Sequence, residues 1–142
     1  MSTPEKYTVI GAGHGGKAMA AHLALMGFKV TLFNRTFDHI AVLKKRGGID
    51  LEGSDDSTRG FGRLALATSD YGEAIPSAQV IMVVVPSSAH VDVARGLAAH
   101  LEDGQIILLH PGRTCGAIEF AKVLREEGCT ADVTIAETET FI

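Results

Sequence analysis

The sequence predicts an α/β fold: a doubly wound, mainly parallel sheet with helices on both faces. Three observations predict it. Short β-type runs alternate with helix-forming segments along the whole chain, the element order of a parallel sheet covered by helices. Two of those runs, Val80-Ile81-Met82-Val83-Val84-Val85 and Ile106-Ile107-Leu108-Leu109, are continuously apolar, as strands buried on both faces are. The third observation is the spacing Gly11-x-Gly13-x-x-Gly16, which follows the first β-type run directly.

Composition narrows the class. The 142 residues are 46% hydrophobic and 21% charged, which suits one domain spanning 1–142 with a core large enough to fold. The net charge is −4, and no basic stripe with interleaved aromatics is present, so nucleic acid is not an expected partner. No apolar run approaches the roughly 20 residues that cross a bilayer, so no membrane is expected. Residues 1–6 lack the apolar core of a signal peptide, and a cytoplasmic protein is expected. Cys115 and Cys129 show no C-x-x-C spacing and no histidines cluster near them, so both are read as reduced structural thiols, with no metal site.

In chain order, Tyr7-Thr8-Val9-Ile10 is the first strand, and the helix that follows the glycine turn reaches Gly27. Gly11 makes the turn, Gly13 lets the backbone approach a diphosphate, and Gly16 lets helix and strand pack closely. No carboxylate stands at the turn, so the free N–H groups and the positive helix end face a bound anion. Phe28-Lys29-Val30-Thr31-Leu32-Phe33 is the second strand and completes a βαβ unit, the setting in which this glycine pattern marks a Rossmann-type dinucleotide site. His14 is read in a backbone role within that turn.

The second strand ends at Asn34-Arg35-Thr36, where NAD-selective sites usually carry Asp or Glu for the ribose 2′-hydroxyl. Asn34 does not repel a 2′-phosphate. Arg35 pairs with one, stacks on adenine, or is merely solvated. The cofactor expected is NADP or NAD, with NADP slightly favoured.

Residues 37–46 are expected to form a second helix capped near Thr36 or Asp38, with Lys44-Lys45-Arg46 in its last turn and Gly47-Gly48 stopping it. Residues 49–63 suggest a hairpin or irregular excursion with a mobile tip at 53–60, a surface loop in preference to a lid. Residues 64–68 read as a third strand. Asp70 and Glu73 have the spacing of a capping box that opens a short helix before Pro76. The run 80–85 is a central strand, Ser87 or Ser88 caps the helix carrying Val93, Ala94, Leu97, Ala98 and Leu101, and 106–109 is another buried strand. A helix over about 117–127 and a strand over 133–136 complete the alternation.

Ligands of such sheets lie beyond the carboxyl ends of the strands, near the switch in strand order. The candidate cofactor residues are therefore Gly11, Ala12, Gly13, His14, Gly15 and Gly16 in the turn, Asn34, Arg35 and Thr36 after strand two, Val85, Pro86, Ser87 and His90 after the central strand, and Pro111 and Gly112 after the next. His90 faces substrate or solvent. His110 stands at a strand end as a site residue or a structural hydrogen-bonding one, and Arg113 either binds an anion or forms a surface ion pair. His22, His39 and His100 are assigned no chemistry, and no residue is named as catalytic.

The segments Gly11-Ala12-Gly13-His14-Gly15-Gly16-Lys17-Ala18, Val83-Val84-Val85-Pro86-Ser87-Ser88-Ala89-His90, His110-Pro111-Gly112-Arg113-Thr114-Cys115-Gly116-Ala117-Ile118-Glu119-Phe120 and Glu137-Thr138-Glu139-Thr140-Phe141 together resemble the cofactor domain of the octopine/nopaline (opine) dehydrogenase family. The resemblance implies an oxidoreductase that condenses an amino acid with a 2-keto acid such as pyruvate, a nicotinamide cofactor supplying hydride to the imine. It also implies a second, all-helical domain that carries the catalytic histidine and aspartate. The segment 137–142 reads as a motif cut in mid-course, so a cofactor domain taken from a longer protein is expected, with a stand-alone binding module as the other reading. The chain alone is expected to be inactive, and an uncovered apolar face to favour a homodimer. The cofactor domains of glycerol-3-phosphate and 6-phosphogluconate dehydrogenases, which share this plan, and a non-catalytic nucleotide sensor are the alternatives.

Overall fold

The structure is a computed structural model that describes residues 5–140. Most of the stretch read for a signal peptide (1–4) and the end of the Glu-Thr-Glu-Thr-Phe motif (141–142) lie outside the described residues. The elements run β1 (Lys6–Ile10), α1 (His14–Leu25), β2 (Lys29–Phe33), α2 (Ala41–Arg46), β3 (Gly48–Glu52), β4 (Arg59–Arg63), β5 (Leu66–Thr68), α3 (Tyr71–Ala74), β6 (Val80–Val83), α4 (His90–Leu97), β7 (Ile106–Leu109), α5 (Gly116–Glu126) and β8 (Thr134–Glu137).

Six strands form one parallel sheet in the order β5-β2-β1-β6-β7-β8. The order reverses between β1 and β6, which places the switch point beside the glycine turn. Register levels the strand ends: Thr68, Phe33, Ile10, Val83, Leu109 and Glu137 stand in one row. Everything that follows those six residues forms a single rim.

In β6 the apolar run alternates between two covered faces, whereas β7 is buried on one face only: Ile107 and Leu109 are buried, Leu108 is half-buried and Ile106 is exposed, so the expectation of a strand buried on both faces fails for 106–109. Val9, Leu32 and Met82 pack with Ala20, Ala21 and Leu23 of α1, while Ile10, Phe33, Val83, Ile107 and Leu109 pack with Leu97 of α4 and Phe120 and Leu124 of α5. Small residues on the buried side of α1 let its backbone lie close to the strands.

Local chemistry corrects several sequence expectations. The helix expected over 37–46 divides into a 3₁₀ turn, Phe37–His39, and α2, with the break at the fully buried Ile40. Burial of that side chain in the core outweighs continued helix. Gly47 closes α2 in the left-handed conformation (φ 74°). The excursion is a true antiparallel hairpin, β3 with β4, and its tip is a hydrogen-bonded 3₁₀ turn rather than a loose loop. There the Asp55 carboxylate accepts the Thr58 N–H at 3.0 Å. The hairpin lies on α1 backbone to backbone, since a Cβ on Gly62 would come within 2.6 Å of the Ala21 carbonyl oxygen.

Asp70 and Glu73 do not form a reciprocal capping box. Asp70 accepts the Gly72 N–H at 2.7 Å, but the Glu73 carboxylate takes the Thr68 hydroxyl instead of the Asp70 N–H. Neither Ser87 nor Ser88 caps α4; both lie in a 3₁₀ turn, Ser87–Ala89, that runs straight into the helix. The central strand β6 stops at Val83, because Val84 and Val85 turn under Gly11.

Candidate cofactor site

The three glycines of the turn separate by what surrounds them. Gly11 has φ 106°, and a Cβ there would lie 2.4 Å from the Val84 carbonyl oxygen; one on Gly16 would lie 1.7 Å from the Gly11 carbonyl oxygen. These two are required by the chain's own packing. Gly13 differs: it has φ −72°, and a Cβ on it would meet nothing within 4 Å. The space above it is open for a ligand.

Gly13 is also the N-cap of α1. No side chain caps this helix and no acidic residue stands in its first turn, so its leading N–H groups and the positive dipole end face the rim. His14 is exposed at the first helical position. A diphosphate is the anion that suits such a turn, because it accepts several backbone N–H groups at once. The uncapped end and the open Gly13 fit the dinucleotide that the glycine spacing predicts.

Beside the turn lies a cleft of ≈ 330 Å³, within the range of small-ligand sites. Ile10, Gly11 and Phe33 form its floor, Asn34, Arg35, Thr36 and His39 one wall, and Val85, Pro86, Ala89 and Asp92 the other, with Tyr71 between them. The Tyr71 ring stacks on Phe33 with centroids 4.0 Å apart and planes at 24°. Burial pushes the Tyr71 phenol above its ordinary value, Arg35 opposing and Asp92 adding to the shift. A flat, partly apolar slot with polar walls suits a purine and its ribose.

Asn34, the first residue after β2, is held at both ends of its side chain. Its Oδ1 accepts the Ala12 N–H at 3.1 Å and its Nδ2 donates to the Thr36 carbonyl at 2.9 Å, tying the β2 end to the glycine turn. Arg35 reaches across the cleft to Asp92 of α4, N to O 3.6 Å, with both side chains largely exposed.

The far end of the rim departs from the sequence reading. Pro111 and Gly112 are buried. The close approach at Gly112 is to Glu137 of β8, whose Cβ would lie 2.1 Å from a Cβ at 112. Glu137 in turn accepts the Ala117 N–H at 2.7 Å and so supplies the anion at the α5 N-terminus. Arg113 (φ 59°) and Cys115 (φ 65°) hold left-handed backbone in the exposed loop between them. Arg113, Thr114, Glu137, Thr138 and Glu139 line a separate polar groove.

His90 faces neither solvent nor the cleft. Its ring is fully buried beside Phe120, centroids 6.4 Å apart, and neither ring nitrogen has a hydrogen-bond partner among the described residues. Burial pulls its pKa below the ordinary 6.5, while Glu119 and Glu137 oppose that shift. His110 is buried at the end of β7. Both cysteines are free thiols, Cys115 exposed and Cys129 half-buried. Among the described residues no acidic, histidine or cysteine cluster could hold a metal, and no helix is long and apolar enough to cross a membrane.

Residues missed from the sequence are Tyr71, His39 and Asp92. They come from three separate elements, and no spacing links them.

The family model for the NAD-binding domain of 6-phosphogluconate dehydrogenase matches residues 6–131. The chain belongs to that family. The chain resembles opine dehydrogenase: the enzyme of Arthrobacter sp. (strain 1C) is 41% identical over 142 residues, 100% of this chain and 39% of the relative. Glycerol-3-phosphate dehydrogenase of Moorella thermoacetica is 29% identical over 137 residues, 87% of this chain and 37% of that one. An octopine dehydrogenase structure with NADH and pyruvate superposes with a TM-score of 0.77 over 92% of this chain and 35% of its own, at 23% identity, a likeness of fold. The NAD-binding domain thus spans about two fifths of the length of these relatives. Its cofactor is a nicotinamide dinucleotide.

Proposed function

We propose that this chain is the cofactor-binding part of an opine-dehydrogenase-like oxidoreductase. In that reaction an amino acid and a 2-keto acid condense to an imine. The bound nicotinamide supplies the hydride that reduces it. The observation that carries the reading is the uncapped α1 N-terminus with open space over Gly13, set at the switch point beside a purine-sized cleft.

The residues then divide the work. The turn from Gly11 to Gly16 binds the diphosphate through backbone N–H groups, with Gly13 giving the approach and His14 exposed at its edge. Phe33, Tyr71 and Pro86 seat the adenine, and Asn34 holds the turn in position for its ribose. Arg35, with no acidic residue beside it in sequence, pairs with a 2′-phosphate, so NADP is preferred over NAD. The 2-keto acid, the amino acid and the groups that protonate or deprotonate them belong to a further domain of the whole protein, which acts in the cytoplasm, as a homodimer. The higher identity to the Arthrobacter opine dehydrogenase favours this reading over the glycerol-3-phosphate class.

Titration of the purified chain with NADPH and NADH, read by cofactor fluorescence and calorimetry, tests it. Binding of both with NADPH tighter is expected, and no turnover with pyruvate and any amino acid. Failure to bind either cofactor defeats the reading, and tighter NADH defeats the preference.

A further inference from the structure

We propose that Asp92 sets the discrimination between 2′-phosphorylated and unphosphorylated adenine dinucleotides, by competing for Arg35 across the mouth of the cleft. The inference rests on reading this cleft as the adenosine end of the cofactor site. Arg35 leaves the end of β2 and Asp92 projects from the first turn of α4, so the two line opposite walls of one cleft and meet over its opening. Tyr71, between the walls, feels both charges with opposite sign.

The pair is built to be exchanged. Its N to O separation is 3.6 Å, and its side chains are 81% and 61% exposed. Such a pair shifts an equilibrium by about fivefold at most. An incoming 2′-phosphate offers Arg35 a stronger, bidentate partner. Binding it draws the guanidinium away from Asp92 and leaves a carboxylate on the rim beside a dianion, which repels it. A cofactor with a free 2′-hydroxyl makes neither demand, and Arg35 stays on Asp92 over the adenine. Asp92 therefore acts against the phosphorylated cofactor alone, moderating a preference that Arg35 creates.

The test is calorimetric titration of the wild-type chain, Asp92→Asn, Arg35→Ala and the double variant with NADPH and NADH. Asn keeps the shape of an exposed side chain, and circular dichroism checks that the fold is intact. Asp92→Asn is expected to raise the ratio of NADPH to NADH affinity about three- to fivefold. In the Arg35→Ala background the same change is expected to leave the ratio within twofold. Wild-type binding with an unchanged ratio in Asp92→Asn overturns the role of Asp92 and leaves the cleft reading standing. Equal losses of both cofactors would make the pair a general adenine clamp, and also overturn it. No wild-type binding of either cofactor overturns both.

Discussion

The Oδ1 of Asn34 accepts the backbone N–H of Ala12 at 3.1 Å, so the residue that follows β2 braces the glycine turn. Asn34→Asp keeps an acceptor for Ala12 but loses the donor to the Thr36 carbonyl and puts a negative charge where a 2′-phosphate would sit. The variant is expected to move preference towards NADH by at least about tenfold, the scale of one charge-assisted hydrogen bond. Loss of the Thr36 bond should cost about 0.5–1.5 kcal/mol of stability. Paired NADH and NADPH titrations, with urea denaturation of the same samples, check both parts.

Gly13→Val separates binding from folding. The residue has ordinary φ and open space around it, so the variant should unfold at the wild-type midpoint to within a few degrees. A branched side chain standing over the α1 N-terminus should nevertheless abolish detectable cofactor binding. Retained affinity would show that the diphosphate does not approach there. The same change at Gly16, whose Cβ would overlap the Gly11 carbonyl, should prevent folding.

Gly112→Ala probes a packing contact rather than a ligand contact. The new methyl would overlap Glu137 Cβ, so a loss of about 1–3 kcal/mol is expected. Glu137→Gly should itself lower stability by about 0.5–2 kcal/mol, through loss of the carboxylate at the α5 N-terminus. Because the second change removes the atom the first collides with, the double variant should be more stable than the sum of the singles. Additive losses in urea unfolding would place the strain elsewhere.

His90 should make the chain sensitive to mild acid. Its folded pKa lies below the ordinary 6.5 because burial disfavours the imidazolium. The unfolded chain therefore takes up the proton first. Stability is full above pH 6.5 and falls as pH drops from there towards the lowered folded value. His90→Leu should flatten that part of the curve, since a leucine fills the site beside Phe120 without titrating. Unfolding free energies between about pH 5 and 8 for both proteins decide it, and an unchanged slope would remove His90 as the cause.

The alternation of elements, the glycine turn and the two covered faces of β6 were legible in the sequence, because each is set by neighbours a few residues apart; the continuous run of β7 hid that Ile106 faces solvent. Turn geometry selects Gly11, side-chain period selects the faces of β6, and a missing acid at the start of α1 shows in the residues themselves. What partners these elements find is not local. Strand order and register bring Tyr71, His39 and Asp92 to one cleft from three elements; they bury His90 under α5 and turn Gly112 against Glu137. A histidine after a strand or a glycine after a proline looks the same whether it meets solvent, ligand or another strand. Only the packed sheet decides, because the side chain's neighbour is chosen by the free energy of the whole core and not by its own sequence context.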